Sequence, residues 1–202
     1  MKRLSSLILC TAMLAACTPA VPQKPEQPPV PPVQQEPLSL EQTAEDILMT
    51  LKSEDIAAFA QYVHPVDGVR FTPYTYVQES DIVLLAENIV TQYEGDTVYT
   101  WGSFDGSGDP IGLTFSQYID QFVWTQDFTQ AEDVLWDDPQ SRGNGINNAV
   151  EFYGPEARIV EYHFPGFDPQ YEGMDWQSLR LVLKQHDGNW KLVGIIHDQW
   201  TI

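Results

Sequence analysis

Three positions near the C-terminal end of the chain carry side chains that could move a proton. Glu161 and His163 are two residues apart in segment 157–164, and His197 lies at the end of segment 189–197. Histidine titrates near neutral pH, and a carboxylate can orient it or act beside it. Alternate residues of a strand share a face, so Glu161 and His163 would point the same way, whereas His197 and Asp198 would not. Three interpretations follow: an acid–base pair, half of a metal site, or structural hydrogen bonds at strand ends. We favour the structural hydrogen bonds.

Other polar and aromatic side chains could line a ligand pocket. The ligand-binding candidates are His64, Arg70, Tyr74, Trp101 and Arg180. Large aromatic side chains more often build a core than a recognition surface, but with 6 Trp in the chain some could stack on a sugar or a cell-wall fragment.

Metal and cofactor motifs are weak. Asp105 and Asp109 belong to a glycine-rich loop with oxygen ligands at alternate positions, as at the start of a calcium loop, but the later Gly and Glu of an EF-hand are missing. A tight loop before a helix capped by Thr114 explains the same residues. The four His show no zinc-type spacing, and no GxSxG, P-loop or GxGxxG motif occurs. We therefore expect no cofactor and no metal site beyond this calcium candidate.

Composition limits the partners of the chain. Its 202 residues carry 10 Lys+Arg against 29 Asp+Glu, a formal net charge of -19, which argues against binding to nucleic acid. With 43% apolar residues, the chain can build a core, and its length predicts one domain with a tail. Two Cys exclude a disulfide-rich scaffold.

The N-terminus reads as an export signal. Lys2 and Arg3 precede a short apolar run that ends at Cys17, and this run is too short to cross a bilayer. Leu14-Ala15-Ala16-Cys17 resembles the lipobox of bacterial lipoproteins. This resemblance implies a signal peptide over 1–16, acylation of Cys17, and a protein held outside the cytoplasm on a bacterial cell membrane or outer membrane. An ordinary secreted protein with a chance Cys is the alternative.

Segment 17–38 is rich in proline, which favours an extended tether without a core. We expect it to space a globular domain, residues 39–202, from the membrane. Its PxxP pattern could instead be a ligand for a proline-binding domain, which the bacterial context makes less attractive.

The globular segment alternates helical and strand patterns. Ser39 can cap a helix, and an apolar stripe with a break at 53–55 predicts two short helices before His64-Pro65. We expect a helix over 81–93, strands over 97–104, 146–153 and 157–164, and a hairpin of 177–186 with 189–197 turning at Asp187-Gly188. Helices followed by antiparallel strands predict an α+β fold with helices packed on one face of a curved sheet.

Three segments, "HPVDGVRFTPY", "YTWGSFDGSG" and "GMDWQSLRLVLKQHDGNWKLVGIIHDQWTI", resemble segments of bacterial lipoproteins of uncharacterised function, and the element order is similar to the NTF2-like, or cystatin-like, cone. That resemblance implies a pocket between sheet and helices, but no particular activity. We expect a binding domain for a small ligand or an envelope partner. The alternatives are a hydrolase or isomerase that uses Glu161 with His163 or His197, and a scaffold without a pocket.

Overall fold

The structure is a computed structural model, and it describes residues 37–201. Two capped helices begin this part of the chain. Helix α1 spans Leu40–Lys52 and helix α2 spans Ile56–Tyr62. The Ser39 hydroxyl accepts a hydrogen bond from the backbone of Gln42, and the Asp55 carboxylate caps α2 in the same way. Each cap satisfies a backbone N–H that the first helical turn leaves without a partner. The break therefore falls at 53–55, as the sequence predicts.

Within residues 37–201, eight strands and three further α-helices follow. The strands are β1 Val69–Thr72, β2 Ile82–Leu84, β3 Tyr99–Ser103, β4 Pro110–Leu113, β5 Asp133–Trp136, β6 Arg158–Phe164, β7 Gln177–His186 and β8 Asn189–Gln199. The helices are α3 Ile89–Glu94, α4 Phe115–Tyr118, which continues as a π-helical turn to Val123, and α5 Ala149–Tyr153.

Six of the strands form one curved, open sheet. Its order is β2-β1-β8-β7-β6-β5, and all neighbours are antiparallel except β1 and β8. Strands β3 and β4 form a separate hairpin. The long β7–β8 hairpin turns at Asp187 and Gly188, which both have positive φ, 49° and 77°. A two-residue turn with this backbone matches the right-handed twist of the strands, and this is why Asp-Gly predicts it.

Both faces of β7 are buried. Leu179, Leu181 and Leu183 pack into the main core with α1 and α2, while Val182 packs with Ala149 of α5 in a smaller cluster. The second face also carries the buried polar side chains of Ser178 and Arg180. The sheet thus has a helix face, covered by α1 to α4, and an opposite face, covered by segment 137–157.

Two expectations about local structure are wrong. Residues 82–84 form β2 instead of the start of a helix, because they pair with β1 at the sheet edge. Residues 149–153 form α5 instead of a strand, because β6 already pairs with β5 and β7 and offers no free edge. Asn148, the residue before α5, is held by two side-chain hydrogen bonds: its amide oxygen accepts from the backbone N–H of Val77, and its amide nitrogen donates to the Val77 carbonyl. No pattern in the sequence analysis predicts strand β5.

The expected fold class is confirmed. The described chain is an α+β domain with N-terminal helices on one face of a curved, mostly antiparallel sheet. Across residues 37–201, no helix has both the length and the apolar character needed to cross a membrane. Cys17, the expected signal peptide and nearly all of the expected tether lie outside the described residues.

Candidate functional site

Three charged side chains meet on the face of the sheet opposite helices α1 to α4. Glu161 and Arg180 are directly paired positions of β6 and β7, and Asp198 lies on β8 one strand further. Nη2 of Arg180 lies 3.2 Å from Oε1 of Glu161 and 2.8 Å from Oδ2 of Asp198. Arg180 also donates to the Gln140 carbonyl and the Thr75 hydroxyl. The two carboxylates therefore share one arginine that is completely buried.

The network holds Glu161 as an anion. Burial alone would raise the pKa of its carboxyl, but the charges of Arg180 and Arg142 and hydrogen bonds from Gln140 and Ser178 lower the pKa below its usual value. Both oxygens are occupied, since Oε2 accepts from the backbone of Gln140. A carboxylate with full hydrogen bonding and a low pKa is a poor general base near neutral pH.

Ser178 links Glu161 to His163. Its hydroxyl oxygen is 2.9 Å from Oε1 of Glu161 and 2.8 Å from Nδ1 of His163. The hydroxyl has one hydrogen, and the carboxylate can only accept, so Ser178 donates to Glu161 and accepts from Nδ1–H of His163. Burial and the charge of Arg142 lower the pKa of His163, which favours the neutral ring. Glu161 and His163 therefore share a face, as predicted, but they do not contact each other directly: the Ser178 hydroxyl joins them by hydrogen bonds.

This trio is closed off from solvent. Glu161 and Ser178 have no exposed surface and His163 is 4% exposed, and none of the three lines either of the two largest grooves described below. His197 lies on the other face of the sheet, where its ring contacts Phe122 and its Nε2 is 3.2 Å from the Gln199 side chain. Burial lowers the pKa of His197 to about 4. Hydrogen bonds within the fold account for the arrangement of Glu161 and His163, whereas Nδ1 of His197 is buried without a hydrogen-bond partner among residues 37–201.

A groove of about 520 Å³ opens beside the network, and we call it the polar groove. Tyr74 and Phe104 provide aromatic surface, and Asp198 and Gln199 come from the end of β8. The other side is segment 142–146, which supplies Arg142 and Asn144. The volume lies within the range of about 300–1,000 Å³ that is typical of small-molecule sites.

Arg142 connects the polar groove to the buried network. Its Nε donates to Oε1 of Glu161 at 3.1 Å, and its side chain is 22% exposed. Its two terminal nitrogens have no protein acceptor among residues 37–201. The guanidinium is therefore anchored at one end and can donate from the other. Burial raises the pKa of Asp198 on the groove floor.

The remaining candidates are placed apart from this groove, except Tyr74. His64 accepts hydrogen bonds from the backbone of Val66 and Asp67 in the turn after α2, and Arg70 donates to three backbone carbonyls of segment 78–81. Trp101 is 1% exposed and stacks on Tyr118 in the core.

The calcium candidates belong to the β3–β4 turn. Phe104 N donates to the Asp109 carbonyl, and Asp109 N contacts the Ser107 hydroxyl. In the described part of the chain, no three His, Cys, Asp or Glu residues cluster as a metal site would require. Asp105 nevertheless lines the polar groove, as does Tyr74. The Tyr74 hydroxyl accepts a hydrogen bond from the backbone N–H of Asp105.

Two solved structures are similar to this chain. One, from Xanthomonas campestris, is assigned as a calcium/calmodulin dependent protein kinase II association domain; it is 13% identical, with 82% of this chain and 94% of that chain covered and a TM-score of 0.36. The other is an NTF2-like protein of unknown function from Shewanella baltica, 8% identical, with 79% and 95% covered and a TM-score of 0.26. No family profile and no curated protein matches the chain. At these scores, neither similarity carries information about function.

Several site residues escaped the sequence interpretation. Ser178 is two residues before Arg180, so the period of a strand could have placed it beside Arg180. Arg142 follows a loop segment without periodicity, and no pattern in the sequence indicates that it returns over β6. Its position depends on the path of segment 137–157 alone.

Proposed function

We propose that this protein is a lipid-anchored, extracytoplasmic binding protein, and that its polar groove holds a small acidic sugar of the cell envelope. The observation that carries the proposal is Arg142, which lines the groove and whose Nε donates to Glu161 while its terminal nitrogens have no protein acceptor among residues 37–201. An arginine in this position can bind a carboxylate through two parallel hydrogen bonds.

The rest of the groove suits a polyhydroxylated body. Asn144, Asp198 and Gln199 offer planar groups that accept from hydroxyls, while Tyr74 and Phe104 offer flat apolar surface. The rings of Tyr74 and Phe104 both contact Phe122 and are thereby supported from the core. A pre-organised wall loses less side-chain entropy when a ligand binds.

The membrane anchor is proposed from Cys17 and its lipobox resemblance. Two or more acyl chains bind a bilayer stably, whereas one chain binds only marginally. The acidic surface would not hold the protein on anionic lipids, so the anchor would have to come from the lipid at Cys17.

The test is a calorimetric titration with the disaccharide of N-acetylglucosamine and N-acetylmuramic acid, compared with chitobiose, which lacks the carboxylate. We expect the acidic disaccharide to bind more tightly, and Arg142→Gln to weaken its binding by about tenfold or more, as for a lost charge-assisted hydrogen bond. Arg158→Gln is the matched control, because Arg158 pairs with Asp137 away from the groove. Equal binding of both sugars, or equal loss in both variants, would contradict the proposal.

A further inference from the structure

A second groove, which we call the apolar groove, lies on the helix face of the sheet between α1 and the edge strand β5. It has a volume of about 510 Å³ and shares no lining residue with the polar groove. Its walls are largely aromatic and aliphatic, with Phe128, Trp136, Tyr162 and Met49 among them. Glu41 and Glu45 stand at its rim, one helical turn apart on α1, and both are exposed.

Tyr162 contributes a hydroxyl without a hydrogen-bond partner to this groove. The residue is 5% exposed, and its hydroxyl is buried without a hydrogen-bond partner among residues 37–201. Burial and the charge of Glu45 both raise the pKa of the phenol, so the hydroxyl keeps its hydrogen and can donate it. A buried hydroxyl without a partner costs free energy that a suitable acceptor on a ligand would recover.

Charge selects the type of ligand. Among the described residues, neither glutamate at the rim forms an ion pair within 4 Å. Arg158, whose charge acts on Glu41, is itself paired with Asp137, and Lys52 is paired with Asp127. The rim is therefore negative, and it borders a wall that contains aromatic side chains, which can also attract cations through their ring faces. An anionic head group would be repelled there.

We propose that the apolar groove binds an amphiphilic organic cation: an apolar chain along Phe128 and Met49, an acceptor oxygen at the Tyr162 hydroxyl, and an ammonium group near Glu41, Glu45 and Trp136. This site is independent of the acidic-sugar proposal, because its residues come from α1, β5, β6 and the short helical turn at 128–130 on the other face of the sheet. Either proposal can fail alone.

The experiment is a calorimetric titration of the full chain carrying Cys17→Ser, purified without detergent. The probes are hexanoylcholine, nonyltrimethylammonium of the same chain length without the ester, and nonyl sulfate, all below their micellar concentrations. We expect both cations to bind and the sulfate to bind more weakly. Glu45→Gln should weaken the cations about two- to fivefold, as for an exposed ion pair, while Glu151→Gln on α5 leaves them unchanged.

Two more variants separate the contributions. Trp136→Leu keeps the groove apolar and should weaken both cations about fivefold through the lost cation–π contact. Tyr162→Phe should abolish the advantage of the ester over nonyltrimethylammonium, which we expect to be about two- to tenfold. Preference for the sulfate, no binding of either cation, or unchanged affinity in Glu45→Gln and Trp136→Leu variants with native circular dichroism would overturn the proposal.

Discussion

Arg180 and Glu161 occupy directly opposed positions on β7 and β6, and their side chains form an ion pair of 3.2 Å without any exposed surface. Two charges in the interior lose their hydration, and only mutual attraction and further hydrogen bonds compensate that loss. The pair has such partners in Asp198, Arg142, Gln140 and Ser178. The stability of this face of the sheet therefore depends on every charged side chain of the network keeping its partners.

Glu161→Gln should lower the free energy of unfolding by about 3 kcal/mol, because it leaves Arg180 and Arg142 with less compensating charge. Urea denaturation followed by tryptophan fluorescence measures the change. Asp137→Asn is the matched control, since it breaks the half-exposed pair with Arg158 and should cost about 1 kcal/mol or less. Equal costs in the two variants would show that the buried network contributes no more than a surface pair.

Acid should destabilise the domain through His197. The buried ring has a pKa of about 4 against an ordinary value of 6.5, so the unfolded chain takes up a proton that the folded chain refuses. The free energy of unfolding therefore falls as the pH drops from about 6.5 to about 4, by at most about 3 kcal/mol from this group. Lowered pKa values of His64 and His163 act in the same direction, whereas the raised values of Asp81 and Asp198 oppose it.

The contribution of His197 is isolated by comparing denaturation at pH 7 and pH 4.5. His197→Gln should reduce the difference in stability between these two pH values, whereas Gln185→Ala, which changes an exposed, non-titrating side chain of β7, should leave it as in the parent chain. If both variants keep the full acid sensitivity, the effect comes from other groups.

Gly194 should not tolerate a side chain. A Cβ at this position on β8 would lie 2.7 Å from Cζ of Tyr153 and 3.2 Å from Cγ2 of Val182. We expect Gly194→Ala to cost about 1–3 kcal/mol, as for overpacking of a core. Gly112→Ala on β4 is the control, because its Cβ would meet only Val98 at an ordinary 3.8 Å. Thermal unfolding of both variants tests the difference; a tolerated Gly194→Ala would mean that α5 can move away from the sheet.

Cys17→Ser should release the protein from membranes without changing the melting temperature of the domain, since the expected acylation site lies outside residues 37–201. Fractionation of cells that express the parent and variant chains measures the distribution. Retention of the variant in the membrane fraction would refute a lipid anchor at Cys17.

The sequence by itself determined the elements with strong local signals. Ser39 and Asp55 cap helices because their side chains satisfy nearby N–H groups, and Asp187-Gly188 turns a hairpin because its backbone allows positive φ. The period of two also placed Glu161 and His163 on one face. These features depend on contacts over a few residues.

Only the tertiary structure decided the features that depend on contacts between distant parts of the chain. Segment 149–153 is a helix because β6 has no free edge, and Arg142 reaches Glu161 because the preceding loop crosses the sheet. The two grooves depend in the same way on where Phe104, Arg142 and Trp136 meet residues far along the chain. Contacts between distant residues leave no fixed spacing in one sequence, so the ligand sites became visible only in the folded chain.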